Sequence, residues 1–276
     1  MGYYERALLI AILLGVVCGL VGTVVVLRRR AFFTQALTHA TFPGAVLAAA
    51  LGVNIMIGAF ASSVLLILAM TLLGRVARQG TQVASGVVLT TGFALGVFLQ
   101  AFFPQLPIHV DSYLIGSILN ATDSDLAATA VVLGVSLLTL LLTGKEILFS
   151  TLDPLGFRAA GYREWVIEAI TLTLVVITVV TAMPAVGAIL ALALIAAPAA
   201  AARLLARSTT QIFVLAPVIG ALSGVIGVVA SRGLGIAAGA AISLTAALFF
   251  VLALGVSRLR TLRWKGRTMT EEAART

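Results

Sequence analysis

Charged residues are scarce in this sequence. Only 10% of its 276 residues are Asp, Glu, Lys or Arg, against roughly 25% in an ordinary soluble domain. A soluble fold must leave roughly half of its residues in contact with water, and this composition cannot supply such a surface. The scarcity of charge therefore excludes a soluble enzyme and a disordered chain.

Cysteine and the common catalytic motifs are also lacking. The sequence has one cysteine, Cys18, which cannot form an internal disulfide, so a disulfide-stabilised scaffold is excluded. No G-x-x-x-x-G-K-[ST] motif occurs, and the chain therefore does not bind ATP through a P-loop. No H-E-x-x-H motif occurs either, which argues against an intramembrane protease.

What the sequence has instead is long apolar runs. Apolar residues make up 61% of the chain and the mean hydropathy is +1.15. A membrane-spanning helix needs about 20 apolar residues to cross a hydrocarbon core of about 30 Å. We therefore predict an all-α, polytopic transmembrane helical bundle of about nine spans (eight or nine). Eight of them are clear, a ninth at 35–52 is shorter and more polar, and 112–121 is a further short helix at the surface or partly inserted. The clear spans lie near 7–27, 55–74, 83–103, 126–143, 166–183, 185–205, 211–230 and 235–256.

The distribution of basic residues predicts the orientation. With nine spans and an outer N-terminus, 16 of the 18 Lys and Arg residues fall on one side. Because cytoplasmic loops carry the excess of Lys and Arg, this predicts an outer N-terminus and a cytoplasmic C-terminus. The net charge of +8 then reflects a membrane face and not a nucleic-acid partner. We expect one transmembrane domain over 1–257 and a basic, flexible cytoplasmic tail over 258–276.

Ionisable residues are nearly absent from the predicted spans, and His39 is the one near mid-span. Such residues are costly in a bilayer and tend to mark a transport pathway. Gln35 lies four residues earlier, on the same helix face, and Thr38 is adjacent. Histidine is the commonest metal ligand, so this face is a candidate metal path. The alternative is a histidine that is hydrogen-bonded to a packed neighbour.

Proline and glycine follow this face one turn later, at Pro43 and Gly44. We expect a helix break there, which would expose backbone carbonyls beside His39.

The inner loop at 144–165 is as long as the outer connection at 104–125, and no other connection between predicted spans is longer. Asp153 followed by Pro154 is typical of a helix N-cap with proline at the first helical position. Gly161 is typical of a helix end. The loop therefore predicts a helix of about two turns on the cytoplasmic side. It is either a docking element for a soluble partner or an ordinary amphipathic surface helix.

These segments together resemble the permease subunits of ATP-binding-cassette importers for zinc, manganese and iron. The matches run in family order over 27 to about 256, and each is weak alone. They are Leu27-Arg28-Arg29-Arg30-Ala31-Phe32-Phe33, Ala36-Leu37-Thr38-His39-Ala40 with Pro43-Gly44, Asp111-Ser112-Tyr113-Leu114-Ile115-Gly116-Ser117-Ile118-Leu119, Leu152-Asp153-Pro154 with Ala159 and Gly161, and Val186-Gly187 through Ala197-Pro198-Ala199-Ala200-Ala201-Ala202-Arg203-Leu204-Leu205.

The resemblance implies a transport subunit of a prokaryotic cytoplasmic membrane, without an ATPase of its own. Its implied partners are a second permease copy, two cytoplasmic ATPase subunits that use ATP, and an extracytoplasmic metal-binding protein. The divalent metal is the transported substrate, and no cofactor is expected on this chain. The resemblance places His39 in the metal-passage motif and makes 153–161, with Asp153, Pro154, Ala159 and Gly161, the coupling helix seated in the ATPase.

Two positions depart from the family pattern. The family has a carboxylate four residues before the histidine, where this chain has Gln35, and a later carboxylate where it has Gly235. A divalent ion favours anionic ligands or several neutral ones. Either binding is loose, as suits transit, or a different permease in a heterodimer supplies carboxylates. The alternatives are an importer permease for a metal chelate or other small solute, and a non-transporting membrane assembly subunit.

Overall fold

The computed structural model describes residues 2–74, 80–103 and 116–273, and these ranges contain helices and no β-strand. The all-α prediction is thus confirmed for the described residues. The helices are α1 (Tyr3–Leu27), α2 (Ala31–Ala50), α3 (Ile55–Gly74), α4 (Gly80–Phe102), α5 (Asp123–Leu152), α6 (Pro154–Ala159), α7 (Glu164–Val186), α8 (Ala188–Leu205), α9 (Thr209–Leu234) and α10 (Ala238–Ala273).

Six helices in the described part of the chain are long and apolar enough to cross a membrane. Two more, α3 and α8, contain shorter apolar stretches, over Ile55–Ala69 and Ala191–Leu205. The chain is therefore a multi-pass helical membrane protein, as predicted. The six spans are Tyr3–Leu27, Ser85–Phe102, Asp123–Leu152, Glu164–Val186, Thr209–Leu234 and Ala238–Arg260.

Two predicted segments differ in extent from the structure. The span predicted at 126–143 is the 30-residue helix α5, which has a capping box at Thr122 and ends at Leu152. Lys145 and Glu146 do not end it, because both are good helix formers and continue the last turns. For 112–121, residues 112–115 lie outside the described residues, and the remainder contains a short 3₁₀ turn, Ile118–Asn120.

Helix α1 lies at the centre of the bundle and packs closely against α8 and α9. A Cβ atom added at Gly15 would overlap the backbone of Gly220, and one at Gly22 would overlap the carbonyl of Ile195. Small residues allow such close backbone approach where lipid supplies no hydrophobic force between helices. Glycines at four-residue spacing in α1 (Gly15, Gly19) and α9 (Gly220, Gly224) therefore serve packing.

The last helix continues into the predicted tail. Helix α10 runs to Ala273, and Arg260 donates a hydrogen bond from Nη1 to the carbonyl of Leu205, at 3.3 Å, at the end of α8. The flexibility of 258–276 stays a prediction.

Candidate functional site

His39 lies half-buried in α2. Its imidazole ring meets the ring of Phe93 in α4 edge-on, at a centroid distance of 5.5 Å and an interplanar angle of 86°. The Nδ1 atom is buried and has no hydrogen-bond partner among the described residues. The ring is thus positioned by packing against Phe93. A histidine with a purely structural role would be expected to hydrogen-bond through Nδ1, and this one does not do so within the described residues.

The two neighbours predicted with His39 differ in their surroundings. Gln35 is half-buried, whereas Thr38 is buried. The hydroxyl of Thr38 donates to the backbone carbonyl of Gln35 at 2.7 Å, so its proton is already engaged within α2. An oxygen lone pair of Thr38 and the side-chain amide oxygen of Gln35 are the neutral acceptors that this stretch of α2 can offer.

The helix break predicted at Pro43 and Gly44 is wrong. Helix α2 continues through both residues to Ala50. Proline has no N–H, and in a helix it deprives the carbonyl four residues earlier of a donor, which here is the carbonyl of His39. A Cβ atom at Gly44 would overlap the carbonyl of Gly58 and the side chain of Ser62, so α2 packs closely on α3 beside the point where proline removes a backbone hydrogen bond.

The described residues contain no cluster of three or more His, Cys, Asp or Glu side chains that could hold a metal ion. His109 and Asp111 lie outside the described residues. Gly235, the second departure from the family pattern, is the exposed C-cap of α9, with φ of 66°, and lines a cavity with Tyr3 and Tyr4 at the start of α1. His39 is therefore not part of a closed, single-chain metal centre within the ranges described.

One contact near this face was not anticipated from the sequence. The hydroxyl of Thr41 donates to the Sδ atom of Met183 in α7 at 2.8 Å, and both residues are buried. It places a polarisable thioether against α2, one helical turn from Thr38. Thr41 could have been noticed from the sequence, because it belongs to the same polar run as His39. Met183 lies in an apolar helix, and nothing in the sequence around it indicates a contact with α2.

The short helix predicted in the inner loop is present as α6. The Oδ1 atom of Asp153 accepts a hydrogen bond from the backbone N–H of Gly156 at 2.9 Å, and Pro154 occupies the first turn. The helix ends at Ala159, and Gly161 then adopts φ of 84°, a left-handed conformation that favours glycine. The three sequence signals, Asp153, Pro154 and Gly161, thus lie where a short helix with a capped start and a separate end needs them.

Helix α6 is attached to the bundle on one side and exposed on the other. Phe157 is buried, stacks on Tyr162 at 4.9 Å and meets Phe149 edge-on at 5.4 Å. Leu155 and Trp165, by contrast, are 78% and 67% exposed. Exposed apolar side chains beside a helix that is held to the bundle through Phe157 are typical of a docking surface.

Comparisons with known proteins agree with the sequence pattern. The sequence model of the ABC 3 transport family matches residues 1–257. The chain is 31% identical to the "Manganese transport system membrane protein MntC" of Halalkalibacterium halodurans, over 99% of this chain and 94% of that protein. It is also 31% identical to the "Chelated iron transport system membrane protein YfeD" of Yersinia pestis, over 95% of this chain and 88% of that protein.

A solved structure shows the same fold. "PsaBC from Streptococcus pneumoniae in complex with Fab" superposes with a TM-score of 0.84 at 31% identity, covering 92% of this chain and 91% of that chain. The match confirms the family resemblance drawn from the motifs around His39 and Asp153. On the extent of the family match and the identity to these relatives, the chain belongs to the ABC 3 transport family.

Proposed function

We propose that this chain is the membrane-spanning permease of an ATP-binding-cassette importer that carries a divalent metal cation into a prokaryotic cell. The observation that carries the proposal is His39, which lies in α2 and presents a buried Nδ1 without a hydrogen-bond partner among the described residues. Manganese, iron(II) and zinc all accept imidazole. The names of the relatives, which refer to manganese and iron transport, support the first two.

The chain works with partner subunits. The absence of a P-loop from its sequence implies that ATP is hydrolysed by separate cytoplasmic subunits, which the exposed side of α6 contacts. An extracytoplasmic metal-binding protein delivers the ion, and a second permease completes the path. Gln35 is neutral, and of the two alternatives, loose binding or carboxylates from a partner, we propose the second: a related permease contributes the carboxylates and the pair is a heterodimer. Isolation of a transport-competent homodimer from the native host would disprove the heterodimer.

We place the N-terminus outside and the C-terminus in the cytoplasm, with nine spans. The grouping of basic residues supports this topology. Arg28, Arg29, Arg30 and Arg203 line one cavity with the start of α6, and Arg207 and Arg260 line a second one beside Leu205. Arg6 instead pairs with Asp123 at 2.7 Å, at the other end of α1. Impermeant thiol reagents that label a cysteine at Arg260 from outside would contradict the topology.

Transport of a chelate is the second candidate, and Gln35 is the observation that favours it. A bare dication that loses its water ligands gains little from a neutral amide. A metal that is already coordinated by a chelator needs fewer ligands from the protein. The test is ATP-dependent uptake into proteoliposomes that contain the complete transporter, with manganese, iron(II) and zinc supplied free or as a chelate. Uptake of the chelate alone would favour the second candidate. Failure to co-purify with any ATPase would favour a non-transporting assembly subunit.

A further inference from the structure

Arg28, the C-cap of α1, is bonded to the ends of two other helices. Its Nη1 atom lies 2.8 Å from the Oε2 atom of Glu168 and 3.3 Å from the hydroxyl of Thr171, both in α7. Its Nη2 and Nε atoms donate to the hydroxyls of Ser150 and Thr151, at 2.9 and 3.3 Å, in the last turn of α5. All three guanidinium nitrogens are thus hydrogen-bonded. The side chain is only 9% exposed.

Glu168 extends the same network to the start of α2. Its Oε1 atom accepts from Nη2 of Arg30 at 2.9 Å, while Oε2 accepts from Arg28. Arg30 is the residue directly before α2. Arg29, between the two, has φ of 56°, so the turn from α1 to α2 is sharp. Glu168 therefore fastens both ends of this turn to α7.

The network also reaches the end of α5 that leads into α6. Ser150 and Thr151 come just before Asp153, whose side chain caps α6. A displacement of α6 therefore acts first on the helix end that holds two of the three Arg28 nitrogens. Hydrogen bonds to a charged, largely desolvated guanidinium are stronger than neutral ones, and its planar fork fixes their directions. The bonds are thus suited to transmit a shift from α5 to the α1–α2 turn.

The surroundings leave room for such a shift. A cavity of about 440 Å³ lies beside the network, lined by Arg28, Arg30, Thr151, Pro154 and Glu168 among others. A network that served only to staple the bundle would be expected to sit in close packing. Here the network borders a cavity that is lined both by Pro154, at the start of α6, and by Arg30, directly before α2.

We propose that Arg28 and Glu168 form a mechanical link that carries movement of α6 to α2, and so to Gln35 and His39. The inference rests on the proposed function, which gives that movement a role in transport. His39 lies eight residues after Ala31, roughly 12 Å along a helix that rises 1.5 Å per residue. Because Gly44 packs tightly on α3, a shift at the start of α2 moves the His39 face while the far part of the helix stays in place. Arg28 and Glu168 are positioning residues and touch no substrate.

The test severs the link without removing a charge. The double variant Ser150→Ala and Thr151→Val removes two acceptors of Arg28 and keeps its ion pair with Glu168. Its matched control is Ser136→Ala with Thr143→Val, on the same helix, where Thr143 donates to the carbonyl of Thr139 one turn earlier. Arg28→Lys, which keeps the charge but has a single nitrogen, serves if the double variant does not assemble with its ATPase.

The first readout is the distance between spin labels at Phe32, at the start of α2, and Leu248 in α10, both of which are exposed. Cys18 is buried, so labelling is directed to the introduced cysteines. The complete transporter is measured in lipid with and without bound ATP. We expect ATP to change this distance in the wild type and the control and not in the severed variant. An unchanged response in the severed variant, or no response in the wild type, would overturn the link.

The second readout is manganese carried per ATP hydrolysed in proteoliposomes. We expect this ratio to be about fivefold or more lower in the severed variant, a typical size for coupling between two sites, while its ATP hydrolysis persists. A ratio equal to that of the control would also overturn the link. If the wild type carries no manganese but its label distance still responds through Ser150 and Thr151, the proposed substrate is wrong and the link stands.

Discussion

The imidazole of His39 is held edge-on against Phe93, with their centroids 5.5 Å apart. Phe93 in turn stacks on Phe42, with centroids 6.3 Å apart, so the three rings join α2 to α4. Packing alone thus orients the histidine, and its buried Nδ1 has no hydrogen-bond partner in the described ranges. Binding of an ion at this nitrogen would therefore not require a hydrogen bond to be broken first.

We therefore expect His39→Ala to reduce metal uptake by about tenfold or more, as disturbed metal sites commonly do, with assembly intact. His39→Phe is the matched variant, because it keeps an aromatic ring beside Phe93 and has no nitrogen. Both variants are measured as ATP-dependent manganese uptake in proteoliposomes. Normal uptake by His39→Phe would show that the residue serves packing only.

Gln35→Glu is expected to strengthen metal retention. The change replaces an amide by a carboxylate of the same length on the His39 face, and added ligand charge tightens the binding of divalent cations. We expect manganese affinity, measured by equilibrium dialysis of the purified transporter, to rise roughly tenfold. Gln211→Glu, at the start of α9, is the control for added charge. Equal effects of the two variants on manganese affinity would show that Gln35 is not part of the metal path.

Asp153→Ala is expected to weaken the coupling between ATP hydrolysis and transport. Its Oδ1 atom caps α6, and loss of such a cap costs about 1 kcal/mol, enough to fray a helix of six residues. Asp153→Asn keeps an acceptor and should retain most of the coupling. Gly161→Val should also uncouple, because a side chain in the left-handed conformation costs about 1–2 kcal/mol. Metal carried per ATP is measured, and an unchanged ratio in Asp153→Ala would contradict the docking role.

Gly44→Ala is expected to destabilise the bundle. The added methyl group would overlap the carbonyl of Gly58, and such overpacking costs about 1–3 kcal/mol. Gly134→Ala in α5 is the control, because its Cβ atom meets nothing within 4 Å and helix propensity should stabilise the chain by about 0.5–1 kcal/mol. Thermal unfolding in detergent compares the two. A similar midpoint for both variants would show that α2 and α3 are not held by this contact.

Much of the fold could be predicted because it depends on local composition. Apolar runs predicted the long helices, and the order Asp153, Pro154, Gly161 predicted both ends of α6, since capping depends on residues a few positions apart. The break at Pro43 was predicted wrongly, because whether a proline interrupts a helix depends on what packs beside it. Tight contact of Gly44 with Gly58 in α3 is invisible to a local pattern.

The sequence by itself determined that this chain is a helical membrane protein, where its polar face lies, and which family it resembles, because hydropathy and capping are properties of neighbouring residues. Only the tertiary structure decided what surrounds His39 and that Arg28 joins α1 to α5 and α7. Glu168 follows Arg28 by 140 positions, and no pattern in either segment indicates the pairing. Contacts of that range are set by how helices pack, which depends on the shapes of all of them together.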